Sequence, residues 1–161
     1  DYPISHSTRF IRMIVYRISS TAFSQDISGT GAKLYGARWN SKGNPMLYTG
    51  STISLSLLEM LVHAQFRDLS IALDLVYIQV PETISIREIS LSKLKKNWHT
   101  DEAYTRFIGD EFIKSQKSAL LKVPSAVVQE EFNYVFLMSR IHKTKFLLVR
   151  NCHFFNSFKI T

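Results

Sequence analysis

The chain of 161 residues predicts one α+β domain, with mixed or antiparallel sheets and packed helices. Three observations carry that prediction. The length suffices to bury a continuous core without disulfides or metal. Strand-like and helix-like segments alternate with no internal repeat, low-complexity tract or linker. The stretch "IALDLVYIQVP" is apolar on both faces, as a strand central to a sheet must be.

Residues 1–12, "DYPISHSTRFIR", lack the apolar segment of a signal peptide and read as an N-terminal extension or cloning remnant. Met13 then looks like a natural start, which assigns residues 13–161 to the domain. "IVYRI" at 14–18 has the β-branched and aromatic content of a short strand, with Arg17 pointing opposite to Tyr16 and Ile18. From Ser19 to Ala37 the chain is rich in Ser, Thr and Gly and reads as a long loop. "KGNP" marks a turn and "MLYTG" a strand ending at Gly50. Ser51 or Thr52 can cap a helix to about Phe66, whose apolar positions wrap nearly all the way round and so predict a buried helix.

"SIREIS" reads as a shorter strand and "LSKLKKNW" as a short basic helix. Thr100 is expected to cap a helix to about Lys117, with Asp101 and Glu102 in its first turn and Lys114 and Lys117 in its last, as the macrodipole favours. "ALLKVPSAVVQ" reads as two strands broken at Pro124-Ser125, and "KFLLVR" and "HFFNSFKI" as closing strands.

Composition narrows the function classes. No apolar run reaches the roughly 18 residues that a membrane span needs, so no membrane association is expected. A lone cysteine, Cys152, excludes an internal disulfide and fits a reducing, cytoplasmic setting. Among the histidines there is no H-E-x-x-H or H-x-H cluster, and no metal site is expected. "GTGAKLYG" lacks both the GK[ST] ending and the strand-to-helix context of a phosphate-binding loop. The net charge of +7 attracts polyanions, phosphorylated small molecules or an acidic protein partner without choosing among them.

What remains is a set of polar residues inside or at the edge of apolar elements: Arg17, Arg38, Tyr48, Glu59 and Ser125. Taken singly, the arginines fit surface ion pairs, Tyr48 a core or edge position, and Ser125 a bulge after proline. Glu59 differs, because a carboxylate in a helix with apolar residues all round needs a partner or a task. Two guanidinium forks, an aromatic face and a carboxylate suit recognition of a phosphorylated ligand coupled to stabilisation of a cationic, oxocarbenium-like centre. That combination suits cleavage of an N-glycosidic bond.

The succession "VYRIS", "GARWNSKGNPMLYTGS", "LLEMLVH", "VPSAVV" and "EEFNY" resembles the RES-domain toxin family over nearly the whole chain from Met13 onward. The resemblance implies an ADP-ribosyltransferase-like fold and a toxin of a type II toxin-antitoxin system that degrades NAD+, causing growth arrest. It matches Arg38, Glu59 and Ser125 to the family's Arg, Glu and Ser, the catalytic set, with Arg17 and Tyr48 lining the substrate pocket. It further implies phosphate contacts from Arg17 and Arg38, ring contacts from Tyr48, oxocarbenium stabilisation or water activation by Glu59, and orientation of ligand or glutamate by Ser125. No cofactor is expected: NAD+ is the substrate, with inorganic phosphate a second substrate if the reaction is phosphorolysis. A cognate Xre-like antitoxin is the implied partner, carrying any contact with nucleic acid, and a toxin homodimer within that complex is compatible with it. Two alternatives stay open. One is an ADP-ribosyltransferase acting on a protein. The other is a basic nucleic-acid-binding module using "KLKKNW" and "SRIHKTK", which explains the charge but gives Glu59 no role.

Overall fold

The computed structural model describes residues 11–63, 72–141 and 148–155, the last by backbone alone. Among these residues seven strands form one mixed sheet: β1 (Ile11–Ser20), β2 (Met46–Gly50), β3 (Leu73–Pro81), β4 (Ile86–Glu88), β5 (Leu120–Pro124), β6 (Phe132–Leu137) and β7 (Leu148–Phe155). Their order across the sheet is β4-β5-β6-β2-β1-β3-β7. Only β4 and β5 run parallel; every other neighbouring pair is antiparallel. Among the described residues four α-helices accompany the sheet: α1 (Thr30–Tyr35), α2 (Ile53–His63), α3 (Glu102–Ser115) and α4 (Met138–Ile141). None of the described helices is long and apolar enough to cross a membrane.

Alternation along the strands divides the core between two faces of the sheet. On one face Val15, Leu47, Val76, Ile78, Leu120 and Phe136 pack with Met138 and Ile141 of α4. On the other, Met46, Leu121, Val123, Val135 and Leu137 pack with Trp39, Trp98 and Phe112 of α3. Ile18, Leu73 and Leu75 extend this second face beneath Ile53, Leu57 and Met60 of α2. The pairings Tyr16↔Gly50 and Tyr48↔Val135 keep the parity continuous, so α2 and α3 stand on the same side.

Strand β3 lies between β1 and β7 with most of its residues buried, as its two apolar faces predict, and β2 matches its expected bounds. Strand β1 extends beyond 14–18 at both ends.

Elsewhere tertiary contacts override the local pattern. The long loop contains a 3-10 turn at Thr21–Phe23 and the helix α1. Gly36 ends α1 with φ +71, a conformation that L side chains rarely adopt. Helix α2 is not buried all round: only Leu55 and Ser56 are buried, and Leu58 and Val62 face outward. Its expected continuation to Phe66 lies outside the described residues. "LSKLKKNW" forms no α-helix; it contributes to two 3-10 turns, Leu91–Lys93 and Trp98–Thr100, because Trp98 is drawn into the core. The cap of α3 is Asp101, whose carboxylate accepts from the Tyr104 N–H at 2.9 Å, while the Thr100 hydroxyl donates to the Asn97 carbonyl.

"SAVVQ" does not pair as a strand, because the Ser125 hydroxyl accepts the N–H groups of both Val127 and Val128 at 3.0 Å and curls the chain. The antiparallel partner of β5 is instead β6, a strand that the local pattern does not announce. The two expected closing strands merge within the described residues into β7.

Candidate active site

Helices α2 and α3 leave between them a cleft of about 760 Å³, bordered by β1 and β2 and by the segment leading from α1 to Trp39. That volume lies within the roughly 300–1,000 Å³ typical of small-molecule sites. Its lining includes Tyr16, Arg17, Arg38, Tyr48, Glu59 and His63, together with Glu102, Arg106 and Asn133.

Glu59 reaches the cleft because α2 is fixed at both its start and its face. The Thr52 hydroxyl accepts from the Leu55 N–H at 3.0 Å, and the Ser56 hydroxyl donates to the Tyr16 carbonyl at 2.9 Å, docking the helix on β1. One turn further on, the Glu59 side chain is only 21 % exposed, yet it borders the cleft rather than the apolar core. Its Oε1 accepts from the Ser125 hydroxyl at 2.7 Å and from the Asn133 side-chain amide at 2.5 Å. Oε2 lies 3.4 Å from Nε2 of His63, one turn along the helix. Burial pushes the Glu59 carboxyl upward, but the hydrogen bonds from His63, Asn133 and Ser125 outweigh it and hold the group below its ordinary range. The same contact with Glu59 raises His63, against the opposing effect of burial. The cleft therefore presents a fixed negative charge at neutral pH.

Ser125 is completely buried and is not among the residues bordering the cleft. Its hydroxyl acts on Glu59, so of the two roles expected for it the geometry realises orientation of the glutamate. Asn133 was missed by sequence reasoning. It sits in β6 opposite Gly50 of β2 and opposite Val123 of β5, a register that aims it at the carboxylate. The available signal was its place in "EEFNY".

Arg38 is held by a stitched turn. Ala37 and Asn40 form an isolated β-bridge. The Trp39 N–H donates to the Tyr48 hydroxyl at 3.0 Å, and that hydroxyl donates to Asn40 Oδ1 at 2.7 Å. Both polar capacities of the phenol are thus taken up internally, and burial above all pushes its pKa well above the ordinary phenol range. Tyr48 has only its ring to offer a ligand. Arg38 Nη1 donates to the His99 carbonyl at 3.0 Å, and its Nη2 lies 3.7 Å from Glu102 Oε1. The turn is pinned to α3 by Ser41, whose N–H and hydroxyl both bond to Asp110 at 2.8 and 2.5 Å.

Arg17 borders the cleft from β1, but its register partner is Val76, part of the core on the opposite face. Its guanidinium donates to the Asp26 carbonyl at 3.0 Å. Burial lowers its pKa, with the Asp26 carboxylate opposing that shift. Of the five expected residues, four therefore border one cleft and the fifth acts on it through Glu59.

Comparison with known proteins agrees with this architecture. A crystal structure of the M. tuberculosis MbcT-MbcA toxin-antitoxin complex contains a chain that superposes with a TM-score of 0.74 at 18 % identity, covering 91 % of this chain and 85 % of that one. The toxin Res of Pseudomonas putida is 34 % identical over 126 residues, spanning 77 % of this chain and 83 % of that protein. A Prs ADP-ribosylating toxin from Sphingobium sp. is 38 % identical over 114 residues, spanning 68 % and 71 %. The family model described as the RES domain matches residues 14–149, and the chain belongs to the RES domain family.

Proposed function

We propose that this chain is the toxin of a type II toxin-antitoxin system and that it consumes NAD+ by breaking the bond between nicotinamide and ribose. The observation that carries this reading is the ionised Glu59, fixed by Ser125 and Asn133 at the wall of a cleft bordered by arginines. Nicotinamide in NAD+ is already cationic, so the bond breaks with its electron pair leaving on nicotinamide, and no strong general acid is required. Positive charge then develops on the ribose carbon and its ring oxygen. A preoriented carboxylate stabilises that charge without reorganising. Water adding to the carbon yields ADP-ribose and a proton, for which Glu59 is the available acceptor. Inorganic phosphate adding instead yields ADP-ribose 1″-phosphate. Arg38 and Arg17 are assigned to the phosphates and the Tyr48 ring to stacking.

A second acceptor, a protein side chain, is favoured by the 38 % identity to a toxin named as ADP-ribosylating. The partner proposed for the cleft is an Xre-like antitoxin that blocks it in the cytoplasm. The likeness to one chain of a toxin-antitoxin complex supports an antitoxin as partner.

The test is incubation of the purified protein with NAD+, with and without phosphate, and identification of products by mass. Release of nicotinamide is expected, with ADP-ribose marking hydrolysis, the 1″-phosphate marking phosphorolysis and protein-linked ADP-ribose marking transfer. Glu59→Gln is expected to slow release by about a hundred- to a thousandfold. Full activity in that variant, or no nicotinamide release by the wild type, would overturn the reading.

A further inference from the structure

The cleft holds a second carboxylate, and its situation differs from that of Glu59. Glu102 opens α3 with its side chain 58 % exposed, and its two oxygens address two different guanidinium groups. Oε1 lies 3.7 Å from Arg38 Nη2, and Oε2 lies 3.5 Å from Arg106 Nη2. An ordinary i,i+4 pair on a solvated helix face would join Glu102 to Arg106 and go no further. Here the same carboxylate also reaches Arg38, in the turn that precedes β2. Arg106 is in turn fixed to that segment, since its Nε donates to the carbonyl of Ala37, the residue preceding Arg38, at 3.3 Å. Arg38, Glu102 and Arg106 all border the cleft.

Two guanidinium groups converging on one anion reproduce the arrangement that binds a phosphate, with the carboxylate standing where phosphate oxygens would sit. Both contacts are long and their shared carboxylate is exposed, and pairs of this kind contribute little. A pyrophosphate group, or inorganic phosphate at neutral pH, brings more charge and more acceptor oxygens than a carboxylate, so exchange is favoured.

We infer that Arg106 is a second phosphate-binding arginine beside Arg38, and that Glu102 is a resident anion that occupies their shared site until a phosphate group displaces it. This rests on the proposal that the cleft accepts a pyrophosphate-bearing dinucleotide. The phosphate has two possible sources, the pyrophosphate of the nucleotide or free inorganic phosphate serving as acceptor. Glu102 thereby competes with phosphate for the two guanidinium groups.

The experiment is calorimetric titration of the purified full chain with ADP-ribose, with inorganic phosphate and with adenosine, in the wild type, Glu102→Gln, Arg106→Ala and Arg106→Lys. Arg106→Ala is expected to weaken ADP-ribose binding by about tenfold or more, the loss of one charge-assisted hydrogen bond. Arg106→Lys restores part of that loss, and Glu102→Gln tightens binding severalfold. Opposite signs for the two positions distinguish exchange from a structural role, which would weaken binding in both. Adenosine binding stays unchanged throughout. Effects confined to ADP-ribose assign the site to the nucleotide pyrophosphate; effects confined to inorganic phosphate assign it to the acceptor. If the wild type releases nicotinamide but neither substitution changes affinity for either anion, the inference fails while the proposed reaction stands. If the wild type binds neither anion, the inference fails whatever the reaction proves to be.

Discussion

The Ser125 hydroxyl and Glu59 Oε1 stand 2.7 Å apart although 66 positions separate the two residues. That one hydroxyl does two things: it donates to the carboxylate and it accepts two backbone N–H groups from the curl that follows β5. Ser125→Ala is therefore expected to lower both stability and activity. Leaving such groups without a partner costs about 1–3 kcal/mol, to be read as a lower urea midpoint. The rate of nicotinamide release should fall at least tenfold in protein that is still folded. A variant with wild-type stability and wild-type rate would show that the contact does not position Glu59.

Asn133 offers a test that separates charge from shape. In Asn133→Asp a second carboxylate faces Glu59, and like charges at that range raise the pKa of the pair. The acid limb of the pH-rate profile is expected to move to higher pH, with activity depressed at neutral pH. Asn133→Ala removes only one of the stabilising hydrogen bonds and should move the limb less. Identical acid limbs in all three proteins would mean that Glu59 ionisation does not limit the rate.

The Glu59–His63 pair makes stability depend on pH in two windows. Glu59 is depressed in the folded protein, so its contribution is present above its unfolded value and disappears as pH falls through the lower folded one. His63 is raised, so its contribution is complete below its unfolded value, near about 6.5, and disappears as pH rises through the folded value. The ring is 62 % exposed, and water screening keeps the His63 contribution below about 1 kcal/mol. Thermal midpoints measured from about pH 5.5 to 8.5, conditions chosen to bracket that window, should fall slightly more in the wild type than in His63→Gln. Parallel curves would remove His63 from the account.

Gly109 is a packing hinge between α3 and the turn that carries Arg38. A Cβ there would lie 1.7 Å from the Trp39 carbonyl oxygen, a backbone atom that cannot give way alone. Gly109→Ala is expected to destabilise the fold by about 1–3 kcal/mol or more. It should also displace Arg38, raising the KM for NAD+ beyond what the stability loss explains. An unchanged KM in the folded variant would separate this packing contact from ligand binding.

Local chemistry made much of the fold and part of the site legible in the chain itself. The two apolar faces of "LDLVYIQVP" put β3 inside the sheet, and "KGNP" before "MLYTG" placed β2. Glu59 announced itself because a carboxylate amid leucines is costly unless something holds it. Local pattern also singled out Arg17, Arg38, Tyr48 and Ser125 as polar residues in apolar elements, and the family motif gave them roles beside Glu59.

Only the tertiary structure decided who holds whom. Asn133 looks like any polar residue in a strand until the β2–β6 register sets it against Gly50 and beneath α2. Of the two roles expected for Ser125, orienting the ligand or the glutamate, its burial, a property of the assembled sheet, leaves the second by keeping it from the cleft. Trp98 pulled "LSKLKKNW" out of the helix its composition favours, since burying an indole outweighs propensity over so short a segment. The sequence by itself determined which residues needed partners, because the cost of a buried charge or an unmade hydrogen bond is local. The partners themselves came from strand register and helix docking, which depend on contacts between residues far apart in the chain.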